Sequence, residues 1–162
     1  MSRERHAAQD ISYAHSAESK RGQIVIKLLE NATGRLTLIK RARGYQDEVA
    51  QGRDFWQVMV ERYGLSLDVV GGSIDHIPKT GPVILIANHP YGILDGIMLG
   101  HILSSVRGDF RILAHKVFQK SDELNRSILP VSFDDTKQAM RDNINTRRQA
   151  LDFLADGGAI GI

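Results

Sequence analysis

The chain contains 162 residues, of which 42% are hydrophobic and 25% are charged. That length fits one globular domain, and that charge content argues against a disordered chain, a collagen or a coiled-coil rod. Because the sequence has no cysteine, it excludes disulfide bonds, a thiolate nucleophile and cysteine-based zinc or iron–sulfur sites, and it fits a reducing compartment.

The net charge of +2 is unevenly distributed along the chain. Residues 1–43 contain nine basic and four acidic side chains, so the other 119 residues carry twelve basic and fifteen acidic ones. The sequence has neither an apolar run near the ~20 residues of a membrane-spanning helix nor the hydrophobic block of a signal peptide. We therefore expect a cytoplasmic protein.

The N-terminal part divides into a polar arm and a basic helical region. Residues 1–20 are small, polar and without periodicity, which predicts a mobile arm. From Gly22 to Arg43 apolar residues recur at three- and four-residue steps, which predicts an amphipathic helix interrupted near Thr33 and Gly34. Residues 20–43 hold seven basic side chains and one acidic one. Such a helix either lies on an anionic membrane, peripheral to its inner face, or packs on the domain with its charges in water.

A second helix is predicted from Asp47 to Tyr63, ended by Gly64, and it completes a helical region over residues 21–63. We expect its core residues to be Val49, Phe55, Trp56, Met59 and Val60. Alternation from Leu65 to Val70 then predicts a strand.

Residues 64–162 alternate strand and helix patterns, which predicts an α/β domain with a mixed, largely parallel sheet flanked by helices. The run Val83–Ala87 is typical of a strand buried on both faces. The later elements are a helix at Leu94–Val106, a strand at Phe110–Ala114, a helix at Gln119–Arg126, a strand at Ile128–Phe133, a helix at Lys137–Asp156 and a strand at Ala159–Ile162.

The helix Lys137–Asp156 has one apolar stripe that we expect to face the core, formed by Met140, Ile144, Leu151, Leu154 and Ala155. Its candidate caps are Asp134, Asp135 and Thr136. The last strand is short, and it leaves the sheet unfinished, so we expect the chain to be a fragment of a longer protein.

The segment from Asn88 to Gly96 joins the most hydrophobic strand to a helix, and α/β sheets place their sites at the carboxyl ends of strands. Pro90 holds His89 in an extended conformation, and Gly92 allows a sharp turn. Asp95 falls in the first turn of the helix, close enough to accept a hydrogen bond from one ring nitrogen of His89.

This His–Asp pair has two interpretations. Without a protein nucleophile, it suits general-base activation of a substrate hydroxyl or amine. Alternatively, Asp95 is only an acid favoured by the helix macrodipole, and His89 is a strand-end residue satisfied by backbone.

The segment Pro82–Gly96, PVILIANHPYGILDG, resembles the first motif of the glycerolipid (lysophospholipid) acyltransferase superfamily. Five residues separate His89 from Asp95, a spacing similar to that of the bacterial haemolysin-associated branch. The resemblance extends from Leu65 to Ile162. It implies transfer of a fatty acyl chain from acyl-CoA or acyl-carrier protein to a hydroxyl or amine of a lipid precursor, with no cofactor beyond this donor. His89 would be the base and Asp95 its orienting partner.

The resemblance also implies where the acyl acceptor binds. The family's second block matches Ala114-His115-Lys116, and Lys116 would contact an acceptor phosphate. The arginine usual after the next strand is replaced by Phe133-Asp134-Asp135, a departure that disfavours a phosphate-bearing acceptor. The third block would follow directly after Ile162, which agrees with a fragment. The acceptor residues implied in this way are Asn88, Pro90, Tyr91, Gly92, His115 and Lys116.

Other chemistry has little support in the sequence. The six histidines show no ligand spacing, so we expect no metal, and the acidic balance of the domain body argues against a nucleic-acid partner. Two rivals to the enzyme remain open. One is a non-catalytic membrane or lipid-binding module that acts through residues 20–43, and the other is a truncated, inactive acyltransferase.

Overall fold

The computed structural model describes residues 19–20, 35–119 and 121–162, and it confirms the α/β class. Most of the predicted arm and most of the predicted first helix lie outside the described residues. The helices are α1 (Arg35–Ala42), α2 (Tyr45–Ala50), α3 (Phe55–Tyr63), α4 (Ile93–Arg107), α5 (Asp122–Ser127) and α6 (Lys137–Ala155). The strands are β1 (Val83–Leu85), β2 (Arg111–His115), β3 (Ile128–Val131) and β4 (Ala159–Gly161), and short 3-10 turns cover Ile74–His76 and Lys116–Phe118.

The four strands of the described residues form one sheet in the order β1-β4-β2-β3, and each pairing among them is parallel, so this sheet is not mixed. Leu85 of β1 and Ile112 of β2 both pair with Gly161 of β4. The last strand of the chain is therefore central, and the edges of the described sheet are β1 and β3. All four carboxyl ends meet at one edge of the sheet, which we call the site edge.

Helix α4 covers one face of the sheet, and α1, α2 and α3 pack outside it. Helices α3 and α4 approach closely where Gly100 of α4 faces the indole of Trp56 on α3, and a methyl group on Gly100 would lie 2.1 Å from the ring. Asp54, the N-cap of α3, accepts a hydrogen bond from the Ser104 hydroxyl at 2.7 Å. This layer fixes the helix that carries Asp95.

Two predictions for residues 47–70 are wrong. The helix expected from Asp47 to Tyr63 is split into α2 and α3, because Gly52 takes a positive φ of 88° and Asp54 starts a new helix by accepting the Gln57 N–H at 2.9 Å. The predicted C-terminal glycine, Gly64, is confirmed in the left-handed conformation. The alternating segment 65–70 forms no strand, and Val70 is 95% exposed, since no neighbouring strand lies beside it among the described residues.

The strand expected to be buried on both faces is an edge strand with one open face. Val83 and Leu85 pack against the α4 layer, whereas Ile84 is half exposed and Ile86 is 80% exposed. The apolar run is thus buried on one side only.

Helix α6 covers the opposite face of the sheet, but the side of the helix that faces the sheet is not the one that we predicted. Four of the five residues of the predicted core stripe are exposed: Met140, Ile144, Leu151 and Ala155. The fifth, Leu154, is partly buried, and the buried positions are Ala139, Thr146 and Ala150. The reason lies in hydrogen bonding to the edge strand β3.

Two polar side chains of α6 satisfy the backbone of β3 and of the residue after it. The Thr146 hydroxyl donates to the Pro130 carbonyl at 2.7 Å, and the Asn143 amide donates to the Ser132 carbonyl at 2.8 Å. Asn143 also accepts the Ser132 N–H at 2.9 Å. Because an edge strand has unpaired backbone groups on one side, these bonds turn the polar side of α6 inward.

Candidate functional site

The segment after β1 presents His89 at the site edge. Asn88, His89 and Pro90 are exposed and lie outside regular structure, as the X-Pro bond predicts. Gly92 then turns the chain into α4 with φ 61° and ψ −114°, and its N–H donates to the His89 carbonyl at 3.1 Å. A positive φ at this position favours glycine, so Gly92 sets the direction in which the loop leaves the strand.

Asp95 lies in the first turn of α4, as predicted, but its contact differs from the expected one. Its Oδ2 accepts the backbone N–H of Tyr91 at 2.7 Å, and no hydrogen bond joins His89 to Asp95 in the described part of the chain. The carboxylate therefore closes the loop from the first turn of the helix. This agrees with a structural role for Asp95, but the backbone does not satisfy the His89 ring within the described residues. The second carboxylate oxygen, Oδ1, has no hydrogen bond among the residues described, and the exposed imidazole has none either.

The other predicted residues of the site edge follow β2. His115 is the last residue of β2, and its ring stacks on Phe133 with centroids 5.6 Å apart. Lys116 forms an ion pair with Asp134, a residue that follows β3. The Ser132 hydroxyl also donates to Asp134, at 3.0 Å. These contacts join the ends of two neighbouring strands.

Sequence reasoning named Asp134 as a candidate helix cap and as a departure from the family's pattern, but it missed the pairing of Asp134 with Lys116. The Lys116 ammonium, followed by the Ser132 hydroxyl, holds the pKa of the Asp134 carboxyl below its usual range. An acid shortly after β3 lies beside a lysine just after β2 only because the two strands are parallel neighbours, and the sequence does not fix which strands are neighbours. The expected phosphate ligand therefore has its charge compensated within the chain.

The strand register relates the two halves of the site edge. Leu85 and Ile112 lie level with each other, because both pair with Gly161 of β4. His89 follows Leu85 by four residues, and Lys116 follows Ile112 by four residues. With adjacent strands ~4.8 Å apart, β1 and β2 are separated by about 10 Å. The chain between them is the end of β4, where the Ile162 carbonyl accepts the Ala87 N–H at 2.9 Å. Both sequence motifs thus lie at one edge, on either side of the central strand.

Two clefts flank α6. One, of about 340 Å³, lies between α6 and the exposed face of the sheet and includes Ile84, Leu154 and Ile162 in its lining. The other, of about 380 Å³, lies between the start of α6 and Asp134. A search of the described residues finds no group of three acidic or histidine side chains that could hold a metal ion.

Comparisons of the chain with protein-family models, with curated proteins and with solved structures found no match. None of the described helices is both long enough and apolar enough to cross a lipid bilayer. The fold and the site by themselves define an α/β domain with a parallel sheet and an exposed histidine beyond the carboxyl end of its first strand.

Proposed function

We propose that this chain is an acyltransferase domain that moves a fatty acyl group from acyl-CoA or acyl-carrier protein to a hydroxyl or amine of a lipid precursor. A ring nitrogen of His89 removes the proton from the acceptor. The acceptor oxygen or nitrogen then attacks the thioester carbonyl carbon, the carbon–sulfur bond breaks, and the thiolate leaves with the proton that His89 returns. No covalent intermediate on the protein is needed.

The observation that supports this proposal most is the exposed imidazole of His89 at the carboxyl end of a parallel strand. Ligands of open α/β sheets bind at such ends. The base needs access to its substrate, and the His89 imidazole is exposed and makes no hydrogen bond or ion pair with the described residues. In this proposal Oδ1 of Asp95 accepts a hydrogen bond from His89 when substrate is bound, while Oδ2 keeps its bond to the Tyr91 N–H. Catalytic hydrogen bonds are commonly looser in unliganded proteins.

The acceptor would lie between the segment Asn88–Gly92 and the end of β2 with His115 and Lys116. Because Asp134 already pairs with Lys116, we infer an acceptor that is uncharged or cationic at this end, rather than one bearing a phosphate. An amine or a neutral hydroxyl meets this condition.

The test is release of free thiol from acyl-CoA and from acyl-carrier protein with amine, neutral hydroxyl and phosphate-bearing acceptors. We expect His89→Ala to lower kcat/KM by 10²-fold or more, which is the usual contribution of a positioned general base. His76→Ala is the matched control, because His76 is also exposed and lies in the 3-10 turn before β1. Equal activity of the two variants would refute the role of His89.

Two substitutions at Asp95 separate its roles. Asp95→Asn keeps an oxygen that can accept the Tyr91 N–H but loses the charge that would stabilise an imidazolium. Asp95→Ala loses both. If Asp95 orients His89, both variants lose activity while only Asp95→Ala loses stability. If Asp95 only closes the loop, Asp95→Asn retains full activity.

We also propose, as the rival, a non-catalytic membrane-binding module that acts through residues 20–43. The bond between Asp95 and Tyr91 favours it, because it gives Asp95 a structural role. Neutralising Lys40 and Arg43 tests this module. Arg41 is left unchanged, since its guanidinium donates to the Tyr63 carbonyl at 2.7 Å. Loss of vesicle binding in the double variant, with no turnover by any form, would establish the rival.

A further inference from the structure

Helix α6 has an exposed apolar row that the protein leaves uncovered within the described residues. Met140, Ile144 and Leu151 are 66%, 61% and 54% exposed. At 100° per residue their side chains fall within about 40° of the helix circumference. Three large apolar side chains in one row on a water-facing helix are unusual for a surface that contacts only solvent.

Four cations border this row. They are all exposed, and none makes an ion pair or a side-chain hydrogen bond with the residues described: Lys137, Arg141, Arg147 and Arg148. On the helix circumference they lie within roughly 80° of the middle of the row, whereas Asp142 and Asp152 lie roughly 100° or more away. Two acidic residues that precede the helix, Asp134 and Asp135, line the cleft beside Met140 and Ile144, and the charge of Asp134 is compensated by Lys116. We call the row and these four cations the α6 outer face.

The apolar surface continues from the helix onto the sheet. Leu151 also lines the cleft of about 340 Å³ between α6 and the sheet, together with Ile84 and Ile162, and Arg147 lies beside them. Ile84 and Ile162 are about half exposed themselves. A row of apolar side chains, an apolar cleft and a border of cations that have no partner among the described residues therefore form one surface.

We propose that the α6 outer face docks on the interface of an anionic lipid bilayer. Apolar side chains between lysines and arginines match that environment, because the chains enter the acyl boundary while the cations reach the anionic headgroups. A second copy of the chain fits less well, since pairing two such faces would bring the cations of each copy together.

Docking through this face also brings the site edge towards the bilayer. The first turn of α6, with Lys137 and Met140, begins just beyond β3 at the edge that holds His89 and Lys116. A lipid could then reach the site edge from the membrane. The docking itself does not depend on the proposed acyl transfer, so vesicle binding tests it even if no acyltransferase activity is found.

The first experiment measures binding of the chain to phosphatidylglycerol-containing vesicles and to phosphatidylcholine vesicles. Because each cation near an anionic surface strengthens binding, we expect Arg147→Gln with Arg148→Gln to weaken anionic-vesicle binding by about 30-fold. The matched control is Lys79→Gln with Arg126→Gln, which removes the same charge from exposed residues elsewhere. Equal weakening by the two double variants would overturn the proposal.

The second experiment tests whether the α6 outer face itself contacts lipid. This test is needed because residues 20–43 are the rival lipid-binding region. The chain has no cysteine, so Ile144→Cys and Gln149→Cys each carry a single polarity-sensitive fluorophore. Both positions are exposed, on nearly opposite sides of α6. We expect anionic vesicles to shift the emission of the label at 144 to the blue and to leave the label at 149 unchanged. Two unshifted labels, or a shift that rises with protein concentration without vesicles, would overturn lipid docking.

Discussion

Replacement of Gly100 by alanine should destabilise the protein even though alanine is the better helix former. The new Cβ would lie 2.1, 2.4 and 2.5 Å from three ring carbons of Trp56, whereas carbon atoms pack at about 3.5–4.0 Å. The indole cannot easily move, because it is 6% exposed and packs at 5.2 Å from the ring of Phe55 and 5.7 Å from that of Phe110.

The magnitude follows from two opposing effects. Alanine gains about 1 kcal/mol over glycine inside a helix, and overpacking of this severity costs about 3 kcal/mol. We therefore expect Gly100→Ala to lower the free energy of unfolding by about 2 kcal/mol. Urea unfolding of the purified chain, with the m-value checked for constancy, measures this difference.

Gly96 on the same helix provides the control, because no described atom outside its own helix lies within 4 Å of a Cβ added there. Gly96→Ala should raise the free energy of unfolding by about 1 kcal/mol, so the two substitutions differ in sign. If Gly100→Ala also stabilises the protein, the packing of α3 on α4 is not as described. Trp56→Leu should relieve part of the strain in a double variant.

Three further outcomes follow from other contacts. Asp134→Asn should raise kcat/KM for phosphate-bearing acceptors several-fold by freeing the charge of Lys116, and Asp135→Asn should not. Thr136→Ala should cost about 1 kcal/mol in urea unfolding, because the Thr136 hydroxyl accepts the N–H of Ala139 at 3.1 Å at the start of α6. Burial raises the pKa of Tyr63, so the folded state favours the neutral phenol. The free energy of unfolding should be constant below the ordinary tyrosine pKa of about 10 and should fall as the pH rises through the raised value. Unfolding curves compared with phenolate absorbance test this, and phenolate formation without loss of stability would contradict it.

Sequence signals that act over a few residues predicted their elements well. The observed ends of α4 and α6 differ from the predicted ends by no more than one residue. The reason is that Thr136 and the glycines after each helix set the helix ends through contacts with their sequence neighbours. The predicted strand at residues 65–70 fails for the opposite reason. Alternation describes a strand only where a neighbour supplies hydrogen bonds, and the structure describes no such neighbour there.

The candidate site could be predicted in its parts but not in its contacts. The motif from Asn88 to Asp95 lies where the pattern placed it, after β1 and at the start of α4. The pairing of Lys116 with Asp134 depends on β2 and β3 being neighbours, which no local signal fixes. The bond from Tyr91 to Asp95 depends on the turn at Gly92, whose backbone angles the sequence does not determine.

The direction of an amphipathic helix is the hardest of these properties to read from periodicity. In α6 the apolar row is exposed, and the side of the helix that carries Asn143 and Thr146 faces the sheet, where these side chains satisfy the backbone along β3. In α1, by contrast, Leu38 packs on the core and Arg41 donates to a backbone carbonyl.

A basic amphipathic pattern therefore has different meanings in the two helices. The cations that flank an exposed apolar row without partners are available to a membrane, whereas a cation bonded to the protein would first have to break that bond. In α6 all four bordering cations lack partners among the described residues, whereas in α1 Lys40 lacks one but Arg41 is bonded to the protein. On this ground α6 is a stronger candidate than α1 for the surface that contacts lipid.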